Sequence, residues 1–161
     1  MILGGTEQKG RIVVFERWFC IYCGKCCMDT EMILLKEDIT RIESLGYKRG
    51  FFVEWRNGFY RLKNKEGRCV FYDIETGRCR IYKYRPLGCK IYPLIYDEEY
   101  GIRVDTECPY GHLITCQEII EGIELLKLFL KKLERYYNRK VNWRLFRRSI
   151  NNLLQKCKDL V

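Results

Sequence analysis

The run Cys20-Ile21-Tyr22-Cys23-Gly24-Lys25-Cys26-Cys27 places four thiols within eight residues, a density hard to accommodate as ordinary buried core. Thiols at i, i+3 and i+6 can be gathered by a looping backbone around one centre, the arrangement that serves ferredoxin-type iron–sulfur clusters. Cys20, Cys23 and Cys26 have that spacing. Neighbouring side chains in extended backbone point to opposite sides, so Cys26 and Cys27 are expected to address different ions or different corners of one assembly. A disulfide between them is disfavoured, because adjacent Cα atoms sit about 3.8 Å apart whereas bridged pairs usually need about 4.4 to 6.8 Å.

Further thiols follow at Cys69, Cys79 and Cys89, each ten residues after the last, and at Cys108. These eight permit two four-ligand sites or one larger polynuclear cluster, and the sequence leaves both open. Zinc is the alternative occupant, but structural zinc sites usually draw on two separated pairs with two to four residues between partners. The later cysteines are too far apart to be such pairs, so iron–sulfur is the first reading. Cys116 and Cys157 read differently. Cys116 opens a helix, where the N-terminus lowers a thiol pKa, which leaves a ligand or reactive role open. Cys157 lies on an apolar seam and reads as a buried core thiol.

A chain of 161 residues is long enough to bury a hydrophobic core without covalent staples. Its ten cysteines stay below the roughly 8 to 10 % that marks a short secreted disulfide scaffold. The first residues lack a basic stretch followed by an apolar one, and no stretch reaches the roughly 18 apolar residues of a membrane span. The expectation is therefore a cytoplasmic protein without membrane association, in which clustered thiols bind metal or do redox chemistry. There is no alanine, and abundant Lys and Glu resemble a heat-adapted proteome. The net charge is +9, and eleven Lys or Arg against the single acid Glu134 lie between Lys127 and Lys158. The cysteine-bearing part is thus near neutrality. The basic tail reads either as a solvated helix face or as a contact for nucleic acid or an acidic partner.

Arg11 to Phe15 is a short β-prone run. Leu35, Ile39, Ile42 and Leu45 predict a helix at about 36 to 45, stopped by Gly46. Asn57-Gly58 between the aromatic runs Phe51–Trp55 and Phe59–Lys63 predicts a hairpin. A second is expected where Leu94–Tyr96 and Ile102–Val104 flank residues 97–101. Thr115-Cys116-Gln117-Glu118 has the form of a capping box, and apolar residues from Ile119 to Tyr137 step by four and three. A second such seam runs from Trp143 to Leu160, with Asn142 as N-cap. The expected fold is α+β: one domain over 1–161, with a small strand- and turn-rich cysteine-cluster part at about 11–112 and a C-terminal antiparallel helical hairpin at about 115–160.

Cys20-Ile-Tyr-Cys-Gly-Lys-Cys-Cys27, with Cys69-Val-Phe-Tyr-Asp73 and Cys79-Arg-Ile-Tyr-Lys-Tyr-Arg-Pro-Leu-Gly-Cys-Lys-Ile-Tyr-Pro93, resembles the YkgJ-type CxxCxxCC family of zinc- or iron-chelating domains, which includes flagellin lysine N-methylases. The resemblance covers roughly Cys20 to Cys108 and implicates Cys20, Cys23, Cys26, Cys27, Cys69, Cys79 and Cys89 as ligands, with Cys108-Pro109 resembling a later ligand position. Tyr82, Arg85, Pro86, Tyr92 and Pro93 also fit the pattern and read as turn and packing residues around a cluster. The resemblance implies protein-lysine methylation, with S-adenosylmethionine as methyl donor, for one branch alone. No glycine-rich strand-to-helix turn is present to cradle such a cofactor, and the Cys-x-x-x-Cys-x-x-Cys spacing of radical chemistry is absent. Whether the chain is an enzyme stays open. His112, the only histidine, is read as a loop residue before a helix rather than an outer ligand, and Asp29, Glu31 and Asp38 as solvated carboxylates.

Overall fold

The structure is a computed structural model that describes residues 18–158. The β-prone run expected at Arg11 to Phe15 lies outside them. Helix α1 spans Trp18–Cys23, and Gly24 then turns the chain into one 3-10 turn, Lys25–Cys27. Gly24 has φ +63°, and a Cβ there would meet the Tyr72 ring at 2.5 Å, so glycine is the residue this bend accepts.

The chain next runs beside strands that come later. Asp29 N–H donates to Gly67, and Leu34 N–H to Tyr60, each at 2.8 Å, which lays 28–34 against the hairpins ahead. Helix α2, Lys36–Glu43, ends two residues short of the expected span and is followed by the one-turn helix α3, Arg49–Phe52. The first hairpin joins β1, Val53–Arg56, to β2, Phe59–Leu62, through Asn57 and Gly58, both with positive φ. Phe51 and Phe52, expected in the first strand, belong to α3 instead, because Phe52 has to turn inward to pack on Phe71.

Two hairpins went unread in the sequence. Strands β3, Asn64–Lys65, and β4, Arg68–Cys69, close on Glu66-Gly67. Strands β5, Tyr72–Asp73, and β6, Arg78–Cys79, close on a four-residue turn ending in Gly77. With two residues per strand, neither has an alternating pattern to detect. Helix α4 covers Leu87–Ile91, and the expected second long hairpin forms from β7, Leu94–Asp97, and β8, Gly101–Val104. Each strand pair is its own antiparallel sheet.

Helices α5, Cys116–Tyr137, and α6, Trp143–Lys158, complete an α+β fold with a C-terminal antiparallel helix pair. The capping box is present: Glu118 N–H donates to Thr115 Oγ1 at 3.3 Å, and Thr115 N–H to Glu118 Oε2 at 2.8 Å. Asn142 caps α6, its Oδ1 accepting from Leu145 N–H at 3.0 Å. Ile119, Ile123, Leu126, Leu130 and Leu133 of α5 are buried with Phe146 of α6, Ile91, Leu94 and Ile102 in one apolar core. A second core gathers Leu34, Ile39, Ile42, Phe52, Leu62, Phe71 and Ile81 around Cys69, with Cys27, Cys79 and Cys89 packed against it. Tyr137 bridges the two regions, its hydroxyl accepting from Tyr60 N–H at 3.2 Å and donating to the Leu34 carbonyl.

Cys116 and Cys157 depart from expectation by forming a disulfide, with Cα atoms 5.7 Å apart. The antiparallel packing of α5 on α6 sets the first turn of one against the last turn of the other. Cys157 is thus bonded rather than a free seam thiol, and Cys116 is unavailable as a ligand or reactive group in this state. Among the described residues, no helix is long and apolar enough to cross a membrane.

Candidate metal centre

None of the eight remaining cysteines is in a disulfide, and all eight line one cleft of about 1400 Å³. Short elements deliver them. α1 carries Cys20 and Cys23 and packs on β6, whose last residue is Cys79, with the Arg78 guanidinium 4.2 Å over the Tyr22 ring. The 3-10 turn supplies Cys26 and Cys27, β4 supplies Cys69, α4 supplies Cys89, and the loop after β8 supplies Cys108. The tight 3-10 turn replaces the extended backbone expected at Cys26 and Cys27, and the two thiols hydrogen-bond to each other instead of pointing apart.

A local geometry recurs at the later cysteines. Cys69 sulfur accepts from the Phe71 and Tyr72 N–H groups, Cys79 sulfur from Ile81 N–H, and Cys108 sulfur from Tyr110 N–H. In all three the backbone donor two residues on turns back towards the sulfur. Such bonds favour the thiolate. Burial opposes them and dominates: it raises the Cys69 thiol to about 11, raises those of Cys79 and Cys108, and pushes Cys89 well above its ordinary value. Cys26 goes the other way. It sits exposed at the rim yet densely ringed by protein, and the Cys27 hydrogen bond, helped by its own N–H and the Arg85 charge, lowers it to about 7 against burial. Cys27, the donor in that pair, is correspondingly raised.

Cys26 is the electrostatic hub, its charge acting on Cys27, Cys69, Cys79, Cys89 and Cys108. Arg85 supplies a buried positive charge. It is 9 % exposed, its guanidinium lies 3.9 Å over the Tyr82 ring, and Nη1 donates to the Tyr82 carbonyl at 2.8 Å. Its charge favours the ionised forms of Cys26, Cys79 and Cys89.

The loop carrying Arg85 is fixed from below by Asp38. That carboxylate, expected in solvent, is 1 % exposed. It accepts from Leu35 N–H and Leu87 N–H, each at 3.0 Å, and from Arg41 Nη2 at 2.6 Å. Arg41 in turn donates to the Arg85 carbonyl at 3.1 Å. One buried carboxylate therefore caps α2, starts α4 and sets the height of Cys89. An Asp three residues after Leu35 was a legible capping signal; its second role at Leu87 was not. Glu31 pairs with Arg56 at 2.9 Å and Arg61 at 3.1 Å, Asp29 is exposed, and the exposed His112 does not line the cleft.

A family model described as "Putative zinc- or iron-chelating domain", CxxCxxCC, matches residues 19–109. The chain belongs to the CxxCxxCC family. A relative in the archaeon Methanocaldococcus jannaschii, "Uncharacterized protein MJ0661", is 38 % identical over 103 residues, covering 55 % of this chain and 54 % of the relative. The chain thus spans about half the length of the curated relative it matches. No solved structure matches it.

Metal chelation is the property of the family, and the donor set suits a thiophilic ion: eight thiols on one cleft, backbone N–H donors at three sulfurs and a buried cation beside them. Among the described residues, no three Cys, His, Asp or Glu side chains are already spaced to close around one ion.

Proposed function

We propose that the protein holds an iron–sulfur centre on thiolates drawn from both the Cys20–Cys27 run and the set Cys69, Cys79, Cys89 and Cys108. The observation that carries this reading is that the early run and the later set, eight thiols in all, line one cleft beside the buried Arg85 charge. At Cys69, Cys79 and Cys108 the backbone N–H two residues on favours the thiolate against the pull of burial. The donors act once the sulfur carries negative charge, as it does when bound to metal. Arg85 would offset part of that charge beside Cys26, Cys79 and Cys89.

The bound centre supplies one-electron redox chemistry or a Lewis-acidic iron. The chain's own residues hold it and screen it. Phe71, Ile81 and Ile91 wall the inner side of the cleft, while Cys26 at the rim marks where a partner or substrate approaches.

Anaerobic purification followed by an absorption spectrum and metal analysis tests the reading. A brown protein with absorption at the blue end and stoichiometric iron and sulfide is expected. A colourless protein carrying zinc would replace iron–sulfur with a structural zinc site on the same thiols. Calorimetry with S-adenosylmethionine on the loaded protein tests methyl transfer, and absence of binding removes that alternative.

A further inference from the structure

Opposite in character to the cleft is the outward surface of the last helix. Its sequence, Trp-Arg-Leu-Phe-Arg-Arg-Ser-Ile-Asn-Asn-Leu-Leu-Gln-Lys-Cys-Lys, contains no acid. Arg144, Arg147, Arg148 and Lys156 are exposed, and among the described residues none of them forms an ion pair. Arg139 and Lys140, in the turn before α6, are exposed too but line the cysteine cleft, with the Arg139 guanidinium 5.2 Å over the Phe59 ring.

Glu134, the one acid between Lys127 and Lys158, does not relieve this charge. Its Oε1 accepts from Val141 N–H at 2.7 Å, and both its oxygens lie 3.1 Å from Trp143 Nε1. It locks the α5–α6 turn from inside.

The cations also work against the helix that bears them. Arg144 stands three and four positions before Arg147 and Arg148, so the like charges repel across one turn. All three lie in the N-terminal half of α6, with Arg144 in the first turn, where the helix dipole disfavours positive charge. Packing of Phe146, Ile150 and Leu153 on the apolar core holds α6 in place regardless. Helix stability therefore gives no reason for this pattern, whereas an external anion does.

The surface chemistry narrows the partner. Between the cations the exposed residues are Asn151, Asn152 and Gln155, all able to hydrogen-bond. No fully exposed aliphatic or aromatic side chain interrupts them. A protein interface centres on buried apolar or aromatic anchors, and an interfacial membrane helix needs an apolar face to insert. Neither is present. A row of arginines with amide side chains matches a phosphodiester backbone, since guanidinium groups bind phosphate in bidentate fashion.

We propose that the outward face of α6, with Arg144, Arg147, Arg148 and Lys156, is a sequence-independent binding surface for the backbone of duplex nucleic acid.

Fluorescence anisotropy of a labelled DNA duplex of arbitrary sequence, titrated with the full metal-loaded chain across a salt series, tests this. Binding is expected to weaken linearly in log–log form with salt. R147E/R148E is expected to flatten that slope by about 2 and to weaken binding at low salt at least about 10-fold. K36E/K48E alters net charge equally on exposed residues of the other region and is expected to leave the slope unchanged. Circular dichroism reports whether α6 survives charge reversal, and R147Q/R148Q repeats the measurement without introduced carboxylates. Equal losses from the two double variants would overturn the assignment, as would a wild type that ignores the duplex at about 50 mM salt. So would binding confined to vesicles of mixed phosphatidylserine and phosphatidylcholine.

Discussion

Between Cys116 and Lys158 two helices of 22 and 16 residues bury an aliphatic stripe and carry proper caps. Between Cys20 and Cys108 no strand exceeds four residues and no helix exceeds eight. The first region buries that stripe in a core it shares with Ile91, Leu94 and Ile102 of the second. The second spends its chain on turns that deliver sulfur, and two of its hairpins have only two residues per strand. An isolated hairpin of that size is not stable in water. If the cleft is filled as proposed, part of the order of the cysteine region comes from the bound centre as well as from the Leu34–Ile81 core, and the two regions should respond differently to the same insult.

Metal removal is expected to have the largest effect. Structural metal binding contributes on the order of 10 kcal/mol to folding in small thiolate sites. Chelation should therefore erase amide protection across residues 64–79 while residues 119–133 keep theirs, as read by hydrogen exchange. Simultaneous loss in both would break the comparison. Cys23→Ser and Cys26→Ser are expected to lose metal and soluble protein together, and equal metal content in Cys23→Ser would count against its assignment as a ligand.

The disulfide should act on the other region. Closing a loop of sequence separation 41 stabilises by about 4 kcal/mol in the chain-entropy model. Replacing both Cys116 and Cys157 by Ser is expected to lower the melting temperature of the helical layer and leave bound metal unchanged. Metal loss in that variant would show the regions to be one cooperative unit.

Asp38 and Gly101 sharpen the boundary at smaller magnitude. Asp38→Ala strands the Leu35 and Leu87 amides and the Arg41 charge, for about 3 kcal/mol, and should also loosen Cys89 and weaken metal retention. Gly101 has φ +79°, and a Cβ there would lie 2.5 Å from Ser149 Cβ, so β8 could no longer seat on α6. Gly101→Ala is expected to cost about 2 kcal/mol, with metal content intact.

The smallest effect belongs to Glu37 and Lys132, the ion pair that ties α2 to α5. The hydrogen bond from Lys132 holds the Glu37 carboxyl below its usual value. Its stabilisation is present above the unfolded carboxylate pKa and fades as pH falls through the lower folded value, that is, below about pH 4. Glu37 is exposed and Lys132 about a third exposed, so solvent screens the pair and Lys132→Ala should cost no more than about 0.5 kcal/mol at neutral pH. Calorimetric melts at pH 7 and in acid check both the size and the direction.

Legibility in the sequence followed the length of the repeating signal. The α5 and α6 seams, the Thr115 cap and the Asn142 cap were readable because each long helix repeats its pattern several times and announces its start with a polar side chain. Asn57-Gly58 was readable because few residues accept two successive positive φ angles. The β3–β4 and β5–β6 hairpins were not, since two residues carry no period. The bend at Cys26 and Cys27 departs from extended backbone because Gly24 turns the chain at φ +63°, in a place where the Tyr72 ring leaves no room for a Cβ.

Composition and spacing alone determined that this chain concentrates sulfur in one part and positive charge in another, and that its C-terminal third is helical. Those are properties of local order, fixed by which residues are neighbours along the chain. Tertiary structure decided that eight cysteines share one cleft, that Asp38 is buried beneath them, and that Cys116 meets Cys157. Each of these joins residues distant in sequence, and what selects such partners is the burial of apolar surface in three dimensions, which no window along the chain can display.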